Sequence, residues 1–330
     1  MRFLRRRDVA AVALALALFG VMASVQPGIL TATGLDLTLL GMVPLAFAAV
    51  AQMIVMAGGD IDLSLGSAMG LVNAICATAF TKSVWVGVGE LVAFVVGYVL
   101  MGAVIEFRRL PALIVTFAFS FIWLGFALVV LPTPGGVAPA WMTQLFSYSI
   151  PGIPEPILLL VVLAAASWLY LQRTRTGRLI RSLGNKRLAV QQFAAHPFSV
   201  RLRMYLAAGV VLVLGGFSLT AESSSGDPNS GQSYLLLSIA AVVIGGGDFA
   251  GGSSWPIGAV AGAVALGFVS SLDSFFQISA NLLFALQGLL LIVALGLRRA
   301  EVLGQWLFVR RRGDREEGAV TQGVLPGEGT

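Results

Sequence analysis

Ten long apolar runs, separated by short polar breaks, set the pattern of the chain: residues 9–30, 37–57, 63–80, 85–107, 112–131, 156–172, 204–221, 234–247, 256–275 and 279–297. Within each run the apolar positions are continuous rather than alternating, which suits helices and not the period-two pattern of barrel strands. A bilayer core takes about 20 apolar residues per helix, so the pattern predicts an all-α membrane protein of about ten transmembrane helices. The runs at 63–80 and 234–247 are short and bordered by Gly-rich polar breaks. Broken helices are therefore expected near 58–66 and 245–255. The expected organisation is a transmembrane domain over 1–297, a cytoplasmic loop over 173–203 inside it, and a cytoplasmic tail over 298–330. From Gly313 onward the tail is polar and Gly-rich, a composition that leaves it disordered.

Composition removes several function classes. Hydrophobic residues make up 57% of the chain and charged residues 11%, less than half of the roughly 25% carried by soluble domains. A soluble enzyme and a nucleic-acid binder are excluded by too little polar surface. Cys76 is the single cysteine, so no internal disulfide forms. The 21 basic residues are also placed by side. With the N-terminus in the cytoplasm, four fall between Arg2 and Arg7, two at Arg108 and Arg109, eight between Arg173 and Arg203, and six between Arg298 and Arg315. All are then cytoplasmic, and Lys82 alone lies outside, as the positive-inside rule requires. Both termini are expected in the cytoplasm, which needs an even number of spans. Residues 1–23 also resemble a signal peptide ending in Val21-Met22-Ala23. The long apolar run favours an uncleaved signal-anchor.

The chain lacks an energy-coupling motif of its own. A P-loop needs Gly-x-x-x-x-Gly-Lys-Ser/Thr, and Thr81 and Asn185 precede the two lysines. One His and one Cys cannot build a His/Cys metal cluster, so no cofactor or metal is expected in this chain. Asp60-x-Asp62 could be read as an acid pair, but residues so close on one segment seldom converge as a catalytic dyad does.

Several segments carry candidate chemistry. Gly58-Gly59-Asp60-Ile61-Asp62-Leu63-Ser64 interrupts two apolar runs. Carboxylates facing lipid cost about 2.5–3.5 kcal/mol each even on mild scales, so Asp60 and Asp62 are expected to face protein or water. The segment reads either as a broken helix lining a solute path or as a cytoplasmic turn with Asp62 or Ser64 capping the next helix. Gly246-Gly247-Asp248 repeats the Gly-Gly-Asp pattern, and each copy precedes a Gly-x-x-x-Gly step, Gly66/Gly70 and Gly258/Gly262. The translocation-path candidates are Gly58, Gly59, Asp60, Asp62, Ser64, Gly246 and Asp248. In the basic loop, 185–196 is expected to be a short helix, with Asn185 as N-cap, Ala189 and Phe193 four apart, and Pro197 as the stop. Such a helix suits docking to a soluble partner, whereas a solvated positive-inside loop is the simpler reading. Trp141, Phe146 and Tyr148 in the outer stretch read as interface anchors. Glu90, Glu106 and Asp273 lie in or near spans, where they serve as proton-relay groups or reach interfacial water.

Together these segments resemble the permease subunits of ribose-type monosaccharide ATP-binding-cassette importers. Met56 to Gly66 is similar to that family's Gly-Gly-Ile-Asp-Leu-Ser signature, and Arg109 to Thr116 to its Pro-x-Phe-Ile-x-Thr segment. Thr174 to Arg178, followed by Gly184-Asn185, resembles its cytoplasmic coupling region. Pro228-Asn229, Gly231 and Tyr234, then Ile239 to Gly246 and Ala250-Gly251-Gly252, resemble its C-terminal signature. Leu235 and Leu237 stand where acidic residues are common, so the resemblance does not name the solute. It implies a multi-pass permease of the bacterial inner membrane. Its implied partners are cytoplasmic ATPase subunits that bind ATP and Mg, a periplasmic substrate-binding protein, and a second permease chain, identical or paralogous. The implied coupling residues are Gly177, Arg178, Gly184 and Asn185, joined by Ala189 and Phe193 of the short helix. Import of a branched-chain amino acid or nucleoside on the same architecture, and proton-coupled secondary transport, are the alternatives.

Overall fold

The computed structural model describes residues 6–146, 154–185 and 187–276, with isolated positions at 282, 289 and 292. Thirteen α-helices are present among them: α1 (Arg6–Val25), α2 (Ala32–Leu40), α3 (Val43–Ala57), α4 (Leu65–Lys82), α5 (Val84–Arg108), α6 (Ala112–Val130), α7 (Ala140–Leu145), α8 (Glu155–Trp168), α9 (Arg175–Asn185), α10 (Arg187–Gln192), α11 (Pro197–Ser223), α12 (Gln232–Ile244) and α13 (Pro256–Phe276). A π-helical turn, Leu169–Arg173, extends α8. No β-strand occurs among the described residues. Nine of the ten apolar runs coincide with these helices; the run at 279–297 lies outside the described residues, apart from three single positions.

By length and composition, four segments can each cross a membrane: Val84–Arg108, Ala112–Val130, Glu155–Arg173 and Pro197–Ser223. The α2–α3 pair, bent by 41° at its break, makes a fifth. Val9–Val25, Gln232–Ile244 and Pro256–Ser271 are shorter apolar helices.

Every residue of α3 is buried. Helices α11, α12 and α13 pack around it. The outer helices turn large apolar side chains outward instead, among them Val92, Val96 and Leu100 on α5 and Ile114, Phe117 and Phe121 on α6. Water would penalise such a surface, whereas hydrocarbon does not. The fold is thus an all-α bundle with a central helix and an apolar exterior, as expected of a membrane protein.

Two sequence expectations in the basic loop are corrected. The cap expected at Asn185 is not formed: Asn185 lies within helix, in α9, which begins at Arg175, and beyond position 186, which lies outside the described residues, α10 ends at Gln192 rather than reaching 196. The reason lies upstream, where Leu179, Ile180 and Leu183 form a buried stripe of helical spacing that draws Arg175–Asn185 into the helix. Pro197 does not stop a helix but starts α11, with His196 before it. Proline lacks an N–H, and the first turn of a helix has no intrahelical partner for one.

Candidate functional site

The first Gly-Gly break ends α3 in a Schellman turn. The N–H of Gly59 donates to Met56 O at 2.9 Å and the N–H of Asp60 to Val55 O at 3.3 Å. Gly59 holds φ +87°, which a side chain resists. The second break ends α12 the same way: Gly246 donates to Val243 O at 3.0 Å, Gly247 to Val242 O at 2.7 Å, and Gly246 holds φ +92°. The two breaks are therefore equivalent in backbone, with Gly58-Gly59-Asp60 matching Gly245-Gly246-Gly247. The sequence pattern aligned them one residue further along, on the shared Asp.

The two breaks meet at the end of the bundle that carries the basic loop. The N–H of Gly252 donates to Ala57 O at 2.9 Å, so the second break caps the C-terminus of α3. Gly184, near the end of α9, sits between them. A Cβ on Gly184 would collide with Ala57 O and Gly252 N, and one on Gly251 would lie 2.7 Å from Gly59 Cα and 3.0 Å from Gly184 Cα. Three backbones thus touch at Gly59, Gly184 and Gly251. Gln172 at the end of α8 secures the same corner: it donates to Ser254 O at 3.1 Å and accepts from Arg181 at 2.7 Å.

Side chains pin the first break to three further helices. Arg201 on α11 pairs with Asp60 at 3.1 Å and with Glu106 on α5 at 2.8 Å. Tyr205 donates to Asp60 at 3.3 Å. Burial pushes the Asp60 carboxyl up to about 6, against the opposing pull of Arg201 and Tyr205. The Arg201 guanidinium faces it as its ion-pair partner. Beyond Asp60 the chain climbs back along α3. The Gln52 amide pairs with both the N–H and the carbonyl of Asp62 at 3.2 Å. The Asp62 carboxylate accepts from Ser64 N and Oγ at 2.7 Å and from the phenol of Tyr98. Thr116 on α6 accepts from the N–H of Leu63 at 3.1 Å. Asp60, Asp62 and Ser64 are all buried, and each of these three side chains finds a partner, which avoids the cost of an orphaned one.

The structure separates the sequence candidates into two groups. Gly58, Asp60, Asp62, Ser64 and Gly246 are buried in or beside this junction, Gly59 is exposed at its edge, and Asp248 is half-buried, with its carboxylate accepting from the N–H of Ala250 at 3.3 Å. In the basic loop, Gly177 is buried against the π turn and Gly184 is half-buried against the breaks, while Arg178 and Phe193 are exposed and Ala189 is half-buried. Asn185 packs its amide on Gly252. Sequence reasoning missed Gln52, Tyr98, Arg201 and Tyr205. For Gln52, Tyr98 and Tyr205 the available signal was a polar group inside an apolar run, whereas Arg201 reads as one of the bases of the loop. Glu90 is half-buried on α5, and the side chain of Asp273 lies outside the described residues.

A cavity of about 360 Å³ lies away from this junction, between α2, α11, α12 and α13. Its lining includes Thr38, Glu222, Ser233, Tyr234, Ser270 and Ser271, with Leu45 and Leu237 as apolar wall. Among the described residues no group of three or more His, Cys, Asp or Glu is arranged to hold a metal.

Comparison with known proteins agrees with this architecture. A profile described as branched-chain amino acid transport system / permease component matches residues 34–295. The ribose import permease protein RbsC of Escherichia coli K12 is 29% identical over 266 residues, covering 78% of this chain and 82% of that protein. The Bacillus subtilis ribose import permease protein RbsC is 28% identical, covering 73% and 77%. The autoinducer 2 import system permease protein LsrD of Photorhabdus luminescens is 27% identical over 291 residues, covering 84% and 85%. No solved structure matches. With the profile spanning most of the chain and the helical bundle and paired glycine breaks in place, the chain belongs to the branched-chain amino acid transport system permease family, a family of multi-pass membrane transport proteins.

Proposed function

We propose that the chain is the membrane permease subunit of an ATP-binding-cassette importer that moves a monosaccharide delivered by a periplasmic binding protein. It spans the bacterial inner membrane ten times with both termini in the cytoplasm. Cytoplasmic ATPase subunits bind ATP and Mg and hydrolyse the nucleotide; this chain holds no cofactor and is not an enzyme. A second permease chain completes the path. The observation that carries the reading is the wedge of Gly184 between the two helix breaks. A loop displaced by a partner moves Gly184, and through it both Gly59 and Gly251, without an intervening flexible segment. Arg178, Leu188 and Phe193 face outward on the same loop and offer the partner a cation and two apolar side chains. The path candidates Gly58, Gly59, Asp60, Asp62 and Ser64, with Gly246 and Asp248, act in this proposal as the hinge of the path rather than as its lining.

The test is recovery of the cognate ATPase with tagged permease. Arg178→Ala with Phe193→Ala removes two exposed contacts and leaves the junction intact. ATPase recovery should fall at least tenfold, the scale of losing an interface hot spot, while the permease stays monodisperse. Full recovery would refute the docking role. Reconstituted uptake that persists without ATP and collapses with a protonophore would refute the importer reading itself.

A further inference from the structure

The connector between α11 and α12 does not stay at the outer end of the bundle. Gly226 packs on Ala77, the N–H of Asp227 donates to Asn73 at 2.6 Å, Pro228 O closes on Gly70, and a Cβ on Gly66 would lie 2.8 Å from Gly231 O. The contacts step back along α4 from 77 to 66, about 16 Å at 1.5 Å per residue. Helix α12 therefore starts inside the bundle, as the second half of an interrupted element. The α2–α3 span is interrupted as well, bent by 41° at Gly41-Met42. A Cβ on Gly41 would lie 3.2 Å from a carboxylate oxygen of Glu222, so the bend faces that residue. Irregular backbone inside a membrane is tolerated where it lines a cavity, and the cavity of about 360 Å³ lies where these two interruptions meet.

Its lining is chemically uneven. Glu222 supplies a carboxylate, Tyr234 a phenol, and Ser233, Ser270 and Ser271 hydroxyls, while Leu45 and Leu237 form an apolar wall. Ser271 donates to Gly267 O at 3.0 Å and so keeps its acceptor lone pairs free. Neither the Glu222 carboxylate nor the Tyr234 hydroxyl has a hydrogen-bond partner among the described residues. Small-ligand sites of roughly 300–1,000 Å³ combine apolar walls with a few convergent polar groups. We infer that this cavity is a solute-binding station of the transport path for a neutral polyhydroxylated molecule, with Glu222 accepting its hydroxyl hydrogens. In its ionised form the carboxylate is an acceptor only and takes two hydroxyls at once. That form repels anions and so disfavours a phosphorylated sugar. The C–H face of a sugar ring lies on the leucine wall. Outward access to the station rests on the importer reading.

The experiment uses the full chain in nanodiscs with Cys76→Ala and a reporter, Ser233→Cys, labelled by a membrane-impermeant maleimide. D-Ribose should slow labelling, and D-ribose 5-phosphate and L-leucine at the same concentration should not. Adding Glu222→Gln, which keeps shape and removes charge, should weaken D-ribose protection about tenfold, or about 1.4 kcal/mol. It should also narrow the difference between ribose and its phosphate. An unlabelled Ser233→Cys in folded protein, protection by L-leucine rather than ribose, or identical profiles with and without Glu222→Gln would each overturn the inference. Should the reporter itself perturb folding, the same comparison is made with Ser270→Cys. None of these readouts needs the ATPase, so failure here and failure of ATPase recovery are distinguishable.

Discussion

Arg201 is the residue whose removal the structure prices most clearly. Its guanidinium lies 3.1 Å from Asp60 and 2.8 Å from Glu106, with side-chain exposures of 15%, 7% and 2% for the three residues. Arg201→Met keeps most of the volume but leaves two buried carboxylates without a cation. Removing one partner of a buried pair costs about 3–5 kcal/mol, because the remaining charge is desolvated and uncompensated. At about 2–4 °C per kcal/mol for a chain of this order of size, the loss corresponds to roughly 10 °C in melting temperature. The variant should show this drop in detergent at pH 7.5, measured by the loss of monodisperse protein on heating. Acid should restore part of it. The Asp60 carboxyl already sits at about 6, above its ordinary 3.8, and without Arg201 it moves higher still. A folded-state carboxyl raised above its unfolded value takes up protons on folding, so stability rises as pH falls through it. The decisive control is Arg201→Met with Asp60→Asn and Glu106→Gln. Neutral amides have no charge to strand, so the triple variant should be more stable than the single one. An Arg201→Met protein that melts like the parent, or a triple variant no better than the single, would show that the ion cluster does not secure the junction.

Two further outcomes are expected. Gly184→Ala should sharply reduce the yield of folded protein, because its Cβ meets backbone on two sides, whereas Leu188→Ala on the same loop, exposed by 70%, should fold normally. Equal yields, measured by fluorescence-detected size exclusion, would contradict the three-backbone contact. In a Cys76→Ala background, Val137→Cys should react with an impermeant thiol reagent from outside intact cells and Leu188→Cys only after permeabilisation; both positions are exposed. Reaction of both from one side would overturn the proposed orientation.

The sequence by itself determined the class of the molecule. Continuous apolar runs, 11% charge and bases confined to alternate loops leave few structures other than helices in a membrane. These are properties of composition and spacing that hold whatever the helices pack against. It also located the breaks, since two Gly-Gly steps inside apolar sequence mark where a helix can end. Tertiary structure alone decided what the breaks are for. Gly59, Gly184 and Gly251 are far apart in the chain, and their contact depends on how α3, α9 and the segment after α12 cross. The same limit applies to Arg201, which reads in sequence as one more cytoplasmic base until α11 brings it beside Asp60 and Glu106. Asn185 and Pro197 were misread because local capping rules weigh only neighbouring residues. The buried stripe of Leu179, Ile180 and Leu183 had already drawn Asn185 into the preceding helix. Glu222 drew no attention, because a carboxylate near a span end looks solvated. Only the inward course of residues 226–231 and the bend at Gly41 shape the cavity that Glu222, itself exposed, helps to line. Spacing along the chain fixes what a segment can form on its own; which polar groups share a buried space is fixed by contacts between segments distant in sequence.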